Sequence, residues 1–418
     1  QAVAPSQTNA EKIRIEQRVA KGTRRVAAVG PIIRVTPFDE WGRRIFTMNT
    51  GTGPIDVIQG ITEVTPVYTK VEGLAARSAY VWDMRVATSS IPRDALSKIL
   101  LKVIDPQDAD QRLRLVRLYI QAERYTDARA ELVNVIADFP ELADLKKQVT
   151  ALNQMGAKRM IQEIELRRKS GQHRLAYSML ERFPAEGVAG ELLVQVRDLL
   201  EEYTKFKEQA EQALARLAAH AAEIKDSRLR GEVGPILEEI KSELNITTYD
   251  RLADYLRLSN DPALSAEQKV ALAVSGWLLG SGSGDQNIVV ATSLLQVRKL
   301  VRQYMATTQQ AERDRILGLL ASLEGSSPSY LAKVLAQMKP PVETEAQADA
   351  PPGWQELAVA GLTGEPDITY YVQLPPEYDP YRRYPCVVTL NGAGTTPQQQ
   401  IDWWAGMYNE QAQMRLGQ

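Results

Sequence analysis

The apolar positions of the chain change their spacing twice. Between residues 24 and 88 they come in short runs rich in β-branched and aromatic residues: Val26–Val29, Ile32–Thr36, Arg44–Met48, Ile55–Ile58, Ile61–Val64 and Tyr80–Val86. Gly-Pro, Asp39-Glu-Trp-Gly42, Asn49-Thr-Gly-Thr-Gly-Pro54 and Val71-Glu-Gly73 separate them as turns. Strands at so short a spacing predict a small sandwich or barrel-like β module. From Ser89 the spacing becomes three and four. Ser90 and Pro92 mark a helix start, Leu96, Ile99, Leu100 and Val103 form its apolar face, and Asp105-Pro106 breaks it. Helical spacing then recurs from Glu191 to Ile224 and over 235–244, 248–258, 265–279, 286–305, 309–323 and 328–338, with Gly231, Gly234 and Pro235 as punctuation. Residues 339–352 carry proline at both ends and acids between, the composition of a linker. After it the strand pattern returns.

These shifts predict a multidomain protein: a flexible segment 1–23, a β-rich module 24–88, a helical repeat-like domain 89–338, a Pro-rich linker 339–352 and a last unit 353–418. Within the helical part, Leu115, Tyr119, Tyr125, Ala128, Leu132 and Pro140 stand at the spacings of a tetratricopeptide hairpin, which Asp108–Pro140 resembles. Val116 and Val135 depart from it, since the repeat has small residues there. Lys169 to Leu180 resembles the turn and second helix of another copy, cut short by Pro184. Helix repeats of this kind imply a groove for a protein or peptide partner.

The last unit carries the most chemistry. Trp354–Ala360 is a candidate strand, and Thr369 onward reads as a strand that ends in Leu374-Pro-Pro. A Pro- and Tyr-rich turn follows, then Cys386–Leu390, apolar or β-branched throughout like a strand covered on both faces. The small-residue loop Asn391-Gly392-Ala393-Gly394 comes next. Thr396 and Pro397 read as the cap and first residue of a helix with Ile401, Trp404, Ala405, Tyr408, Ala412 and Leu416 on one face, ending at Gly417.

This order resembles the opening of α/β-hydrolases of the esterase and prolyl-oligopeptidase type, in which a Leu-Pro-x-x-Tyr-Asp run and a Tyr-Pro strand lead into a His-Gly-Gly-Gly loop. The resemblance implies a partial α/β-hydrolase sheet over 353–418. It also implies that Asn391, Gly392, Ala393 and Gly394 are the oxyanion-hole candidates, a backbone N–H of this loop joining one beside the nucleophile. Asn391 stands where the family has His, and Ala393 where it has Gly. The family's Gly-x-Ser-x-Gly, acid and His follow this loop, and no Gly-x-Ser-x-Gly occurs after residue 394. The only histidines, His173 and His220, lie upstream in helical sequence. The expectation is a fragment of a longer hydrolase, without catalytic residues of its own.

Composition narrows the alternatives. Lys plus Arg is 50 against 52 Asp plus Glu, for a net charge of −2. That balance gives no global pull toward nucleic acid, and the basic cluster Lys12, Arg14, Arg18, Lys21, Arg24 and Arg25 is diluted by Glu11 and Glu16, as on a solvated surface. One cysteine, Cys386, excludes an internal disulfide framework and a Cys-based zinc site. No cofactor or metal is expected: His173 and His220 lack ligand-spaced partners, Thr50-Gly-Thr-Gly53 runs into Pro54, and a helix precedes Gly280-Ser-Gly-Ser-Gly284. No apolar run approaches the roughly 18 residues of a membrane span. The polar opening after Gln1 resembles a mature end after signal-peptide removal, which leans toward export, periplasmic or extracellular. Two functions follow from these readings. One is the non-catalytic front of a serine hydrolase of the esterase or peptidase class, its helices gating substrate or docking a partner. The other is a helical scaffold for protein–protein interaction.

Overall fold

The computed structural model describes residues 10–22, 32–50, 53–76, 79–341, 350–362, 364–392, 395–406, 408–409 and 414–415. The expected strand Val26–Val29 and most of the 339–352 linker lie outside them. The N-terminal part is a six-stranded half-barrel sheet of β1 (Ile13–Arg14), β2 (Ile32–Val35), β3 (Arg43–Thr50), β4 (Gly53–Val64), β5 (Tyr68–Gly73) and β6 (Asp83–Ala87). The order is β2-β3-β4-β5-β6, with β1 on β4, and all pairings are antiparallel.

Two expectations change here. The lead segment is not loose over its described residues: Ile13 and Ile15 are buried, and Glu11 takes hydrogen bonds from Arg114 and Arg117. Alternating isoleucines point into the core while the charges between them face water. Val71-Glu-Gly73, expected as a turn, ends strand β5. An added Cβ on Gly73 would stand 2.2 Å from the Tyr80 carbonyl oxygen, so this glycine permits a close backbone approach within the sheet.

The β module and the first helices share one core. Ile61, Val64 and Val71 pack with Leu96, Ile99 and Leu100 of α1 (Arg93–Leu101) and with Leu115 and Tyr119 of α2 (Ala109–Gln121). Helices α2 and α3 (Tyr125–Asp138) pack against each other as a helix pair. The Asp108 carboxylate caps α2 by accepting from Asp110 N and Gln111 N, and Ala128 is fully buried where the helices meet. The chain continues through α4 (Lys146–Lys169), α5 (His173–Glu181), α6 (Gly190–Glu223) and α7 (Ser227–Glu243). Next come α8 (Ala253–Leu258), α9 (Ala266–Leu279), α10 (Ile288–Ala306), α11 (Gln310–Ala321) and α12 (Pro328–Gln337). Gly231, Gly234 and Pro235, expected as breakers, lie inside α7. Proline removes one hydrogen bond and crowds the carbonyl four residues back, which here belongs to Gly231, a residue with open space around it. Helix α9 is the axis of the largest core: every residue from Val270 to Leu279 is buried.

The C-terminal part holds the antiparallel pair β7 (Trp354–Val359) and β8 (Ile368–Gln373), then α13 (Pro397–Ala405) and the short pair β9 (Tyr408–Asn409) and β10 (Met414–Arg415). This part departs from the sequence expectation at two places. Cys386–Leu390 is not a strand: it has no ladder partner among the described residues, and Val387, Val388 and Leu390 are 69%, 83% and 90% exposed. Helix α13 runs half its expected length. Gly406 ends it at φ +78°, so Tyr408 falls in β9, outside the helix, and Trp404 faces water.

Candidate functional site

The segment between β8 and the exposed run is a strap, residues 374–384, fixed to the helical region at four points. Glu377 is the first. Its carboxylate accepts from Arg174 N and Leu175 N, each at 2.8 Å, and so caps the start of α5. To reach them Glu377 takes φ +53°, a region unfavourable for a side chain that is not glycine. Asp379 is the second: it accepts from the Asn245 side-chain amide at 3.2 Å. Tyr381 is the third. Its hydroxyl donates to Glu243, which also pairs with Lys339, and its ring lies 4.2 Å from the Arg251 guanidinium. Arg382 is the fourth, donating to the Lys169 carbonyl. Gly171, at φ +82°, leaves the space it needs: an added Cβ there would stand 2.8 Å from Arg382 Nη1.

Arg251 explains why the third point matters. It is buried, donates to the carbonyls of Trp277 and Gln337, and lies against the rings of Trp277 and Tyr381. No carboxylate is in direct contact with it among the described residues, so the aromatic faces and carbonyls take the place of an ion pair. Burial lowers its pKa, and Tyr381 and nearby Asp379, Glu239 and Glu243 oppose that shift. Burial also raises the Tyr381 pKa strongly, reinforced by Glu243. The phenol therefore stays a donor across the physiological range.

Under the strap lies a cleft of about 610 Å³ walled by Tyr177, Tyr203 and Phe206 from the helices, the 244–247 turn, and Tyr378 and Pro380 from the strap. Tyr177 and Tyr203 meet edge to face at 5.6 Å and 79°. His173 also lines the cleft as the first residue of α5, with Nδ1 3.1 Å from the Tyr203 hydroxyl. His220 repeats the arrangement with Tyr255, also at 3.1 Å, in the core around α9. Both histidines are thus packed against a tyrosine.

No match is found among protein-family models, curated proteins or solved structures. Among the described residues no cluster of His, Cys, Asp or Glu could hold a metal, and no helix is long and apolar enough to cross a membrane.

Of the four oxyanion-hole candidates, Asn391 and Gly392 are exposed, in a turn that leads into α13. Asn391 Nδ2 donates to the Thr395 carbonyl, and Thr395 N and Oγ1 both donate to the Gly392 carbonyl. Ala393 and Gly394 lie outside the described residues. Thr396 and Gln399 form a reciprocal capping box, and Pro397 is the first helical residue. The strap residues Glu377, Tyr381 and Arg382 do not stand out in the sequence. Their signal is faint: charges and a tyrosine held between Pro376, Pro380 and Pro385, which stiffen the loop enough to present side chains at fixed places. Asn245, which opens an Asn-Ile-Thr glycosylation pattern, has its amide engaged with Asp379 and its oxygen with Thr247 N and Thr248 N.

Two outcomes follow. Glu377→Ala is expected to lower stability by about 1 kcal/mol through the lost cap, and to speed amide exchange over 374–384 and at Arg174 and Leu175. Unchanged exchange at Arg174 would show that the cap does not hold the strap. The second concerns pH. Burial, aided by Arg168 for His173 and Lys269 for His220, lowers both histidine pKa values below the usual 6.5. The unfolded chain then binds more protons than the folded one in mild acid, so this stability is complete above pH 6.5 and is lost as pH falls through the folded values. The urea midpoint should drop between pH 7.5 and 5.5, and drop less in the double variant His173→Gln, His220→Gln. Equal drops would refute this assignment.

Proposed function

We propose that this chain is the non-catalytic front of a serine hydrolase of the esterase or peptidase class, in which the helical region docks the catalytic sheet through the strap. One observation carries the reading. Val387, Val388 and Leu390 form an apolar run exposed at neighbouring positions that would face opposite sides of a strand, directly before Asn391-Gly392 and the capped helix α13. Exposed on both faces, such a run has the character of a central strand awaiting neighbours in a parallel sheet with helices on each side. The small-residue loop after it would then stand at the carboxyl end of that strand, where α/β sheets bind their ligands, and would offer backbone donors to an oxyanion. The strap precedes the run, so the helices would sit at the strand's amino end. That direction favours docking over direct substrate gating.

The 418-residue chain is expected to turn over p-nitrophenyl esters no faster than background; turnover by the purified chain would contradict the reading. Val388→Asp separates the strand proposal from an ordinary surface loop. In this chain it is expected to change stability by less than about 0.5 kcal/mol, as for an exposed site. In a polypeptide that joins this chain to a Gly-x-Ser-x-Gly segment with ester turnover, the same change is expected to abolish that turnover. Retained turnover would remove Val388 from any sheet interior.

A further inference from the structure

We propose that the cleft beneath the strap binds an arginine side chain presented by a peptide. Its volume, about 610 Å³, lies within the range of ligand sites. Tyr177, Tyr203, Phe206, Tyr378 and Tyr381 line it, and aromatic faces attract guanidinium groups, which stack on them flat. Arg168 lies 5.4 Å from the Tyr203 ring, which leaves Tyr177 and Tyr378, 37% and 38% exposed, as the rings most open to a ligand.

The charge balance points the same way. Glu243, Glu377 and Asp379 line the cleft against Lys339, which pairs with Glu243, and Arg174, which stands 3.7 Å from Glu377 with its side chain 87% exposed, so water screens that pair. Burial lowers the His173 pKa below 6.5, which disfavours a positive charge there. The carboxylates are also held in place beforehand. The Glu377 oxygens each accept one backbone N–H, and the Asp379 oxygens accept from Tyr381 N and Asn245 Nδ2. A carboxylate oxygen has two lone pairs, so each keeps accepting capacity for a guanidinium. The same chemistry is already used next door, where Arg251 lies between Trp277 and Tyr381. This inference stands apart from the hydrolase reading.

Isothermal titration of the full chain with acetyl-Ala-Arg-Ala-amide tests it, with acetyl-Ala-citrulline-Ala-amide as the neutral match of the same shape. The arginine peptide is expected to bind saturably, and the citrulline peptide about tenfold or more weakly. Tyr177→Ala and Tyr378→Ala, at exposed positions that should leave the fold intact by circular dichroism, are each expected to weaken the arginine peptide several-fold. Equal affinity for citrulline, the absence of saturable arginine binding, or variants that bind like the parent chain would each overturn the proposal.

Discussion

Trp277→Ala is expected to lower the stability of the helical region by about 3–5 kcal/mol, the range for removing a buried aromatic side chain. Trp277 is 1% exposed and sits in the largest core, among Val270–Leu279 of α9. Three further links break with it. Its indole N–H donates to Glu239 at 2.9 Å, beside the two hydrogen bonds Glu239 takes from Arg298. Its ring lies against Arg251, and it meets Tyr381 edge to face at 6.0 Å and 72°. The change should therefore loosen the strap as well as the core. Urea unfolding followed at the helical signal, with amide exchange over 374–384, measures both. A large stability loss with an unchanged strap would show that the α9 core and the strap are uncoupled.

Glu131→Ala should be nearly as damaging, by about 3 kcal/mol, because it strands a buried cation. Arg112 and Glu131 are 6% and 1% exposed and bond at 2.9 and 3.0 Å between α2 and α3. Asp138 also pairs with Arg112 at 3.0 Å, but its side chain is 57% exposed and in water's reach, so it compensates only part of the loss. The double variant Arg112→Leu, Glu131→Leu should recover most of the stability, since two apolar residues leave no unpaired charge. If the double variant is as unstable as Glu131→Ala, the packing of the hairpin rather than charge burial sets the effect.

Helices with strong local signals are legible in the sequence. The α2–α3 hairpin from Asp108 to Pro140, with small Ala128 in its second helix, and the apolar stretch of α9 each follow from spacing. Elements whose apolar positions are sparse are not. Helix α4 buries only Leu152, Ala157, Ile161 and Ile164 across 24 residues, too few for a clear period. Around strand β1 only Ile13 and, just after it, Ile15 are apolar among charges. Gly231 and Pro235 mislead because tertiary packing around Val233 and Ile236, both buried, outweighs local propensity. At the candidate site the Pro/Tyr run is visible, but its partners are not. Glu377 caps a helix about 200 positions earlier in the chain, and no local pattern encodes such a pairing. The Cys386–Leu390 run shows the reverse: strand composition without strand pairing, since a strand is defined by neighbours as much as by its own residues.

The most direct test of the central claim is capture of the native protein from its source cells with a fluorophosphonate probe, followed by mass spectrometry of the labelled peptide. The account predicts that the protein bearing residues 1–418 is captured and that its labelled serine lies in a Gly-x-Ser-x-Gly outside them. A label on any serine within these 418 residues, or a native protein that the probe does not capture, would contradict it.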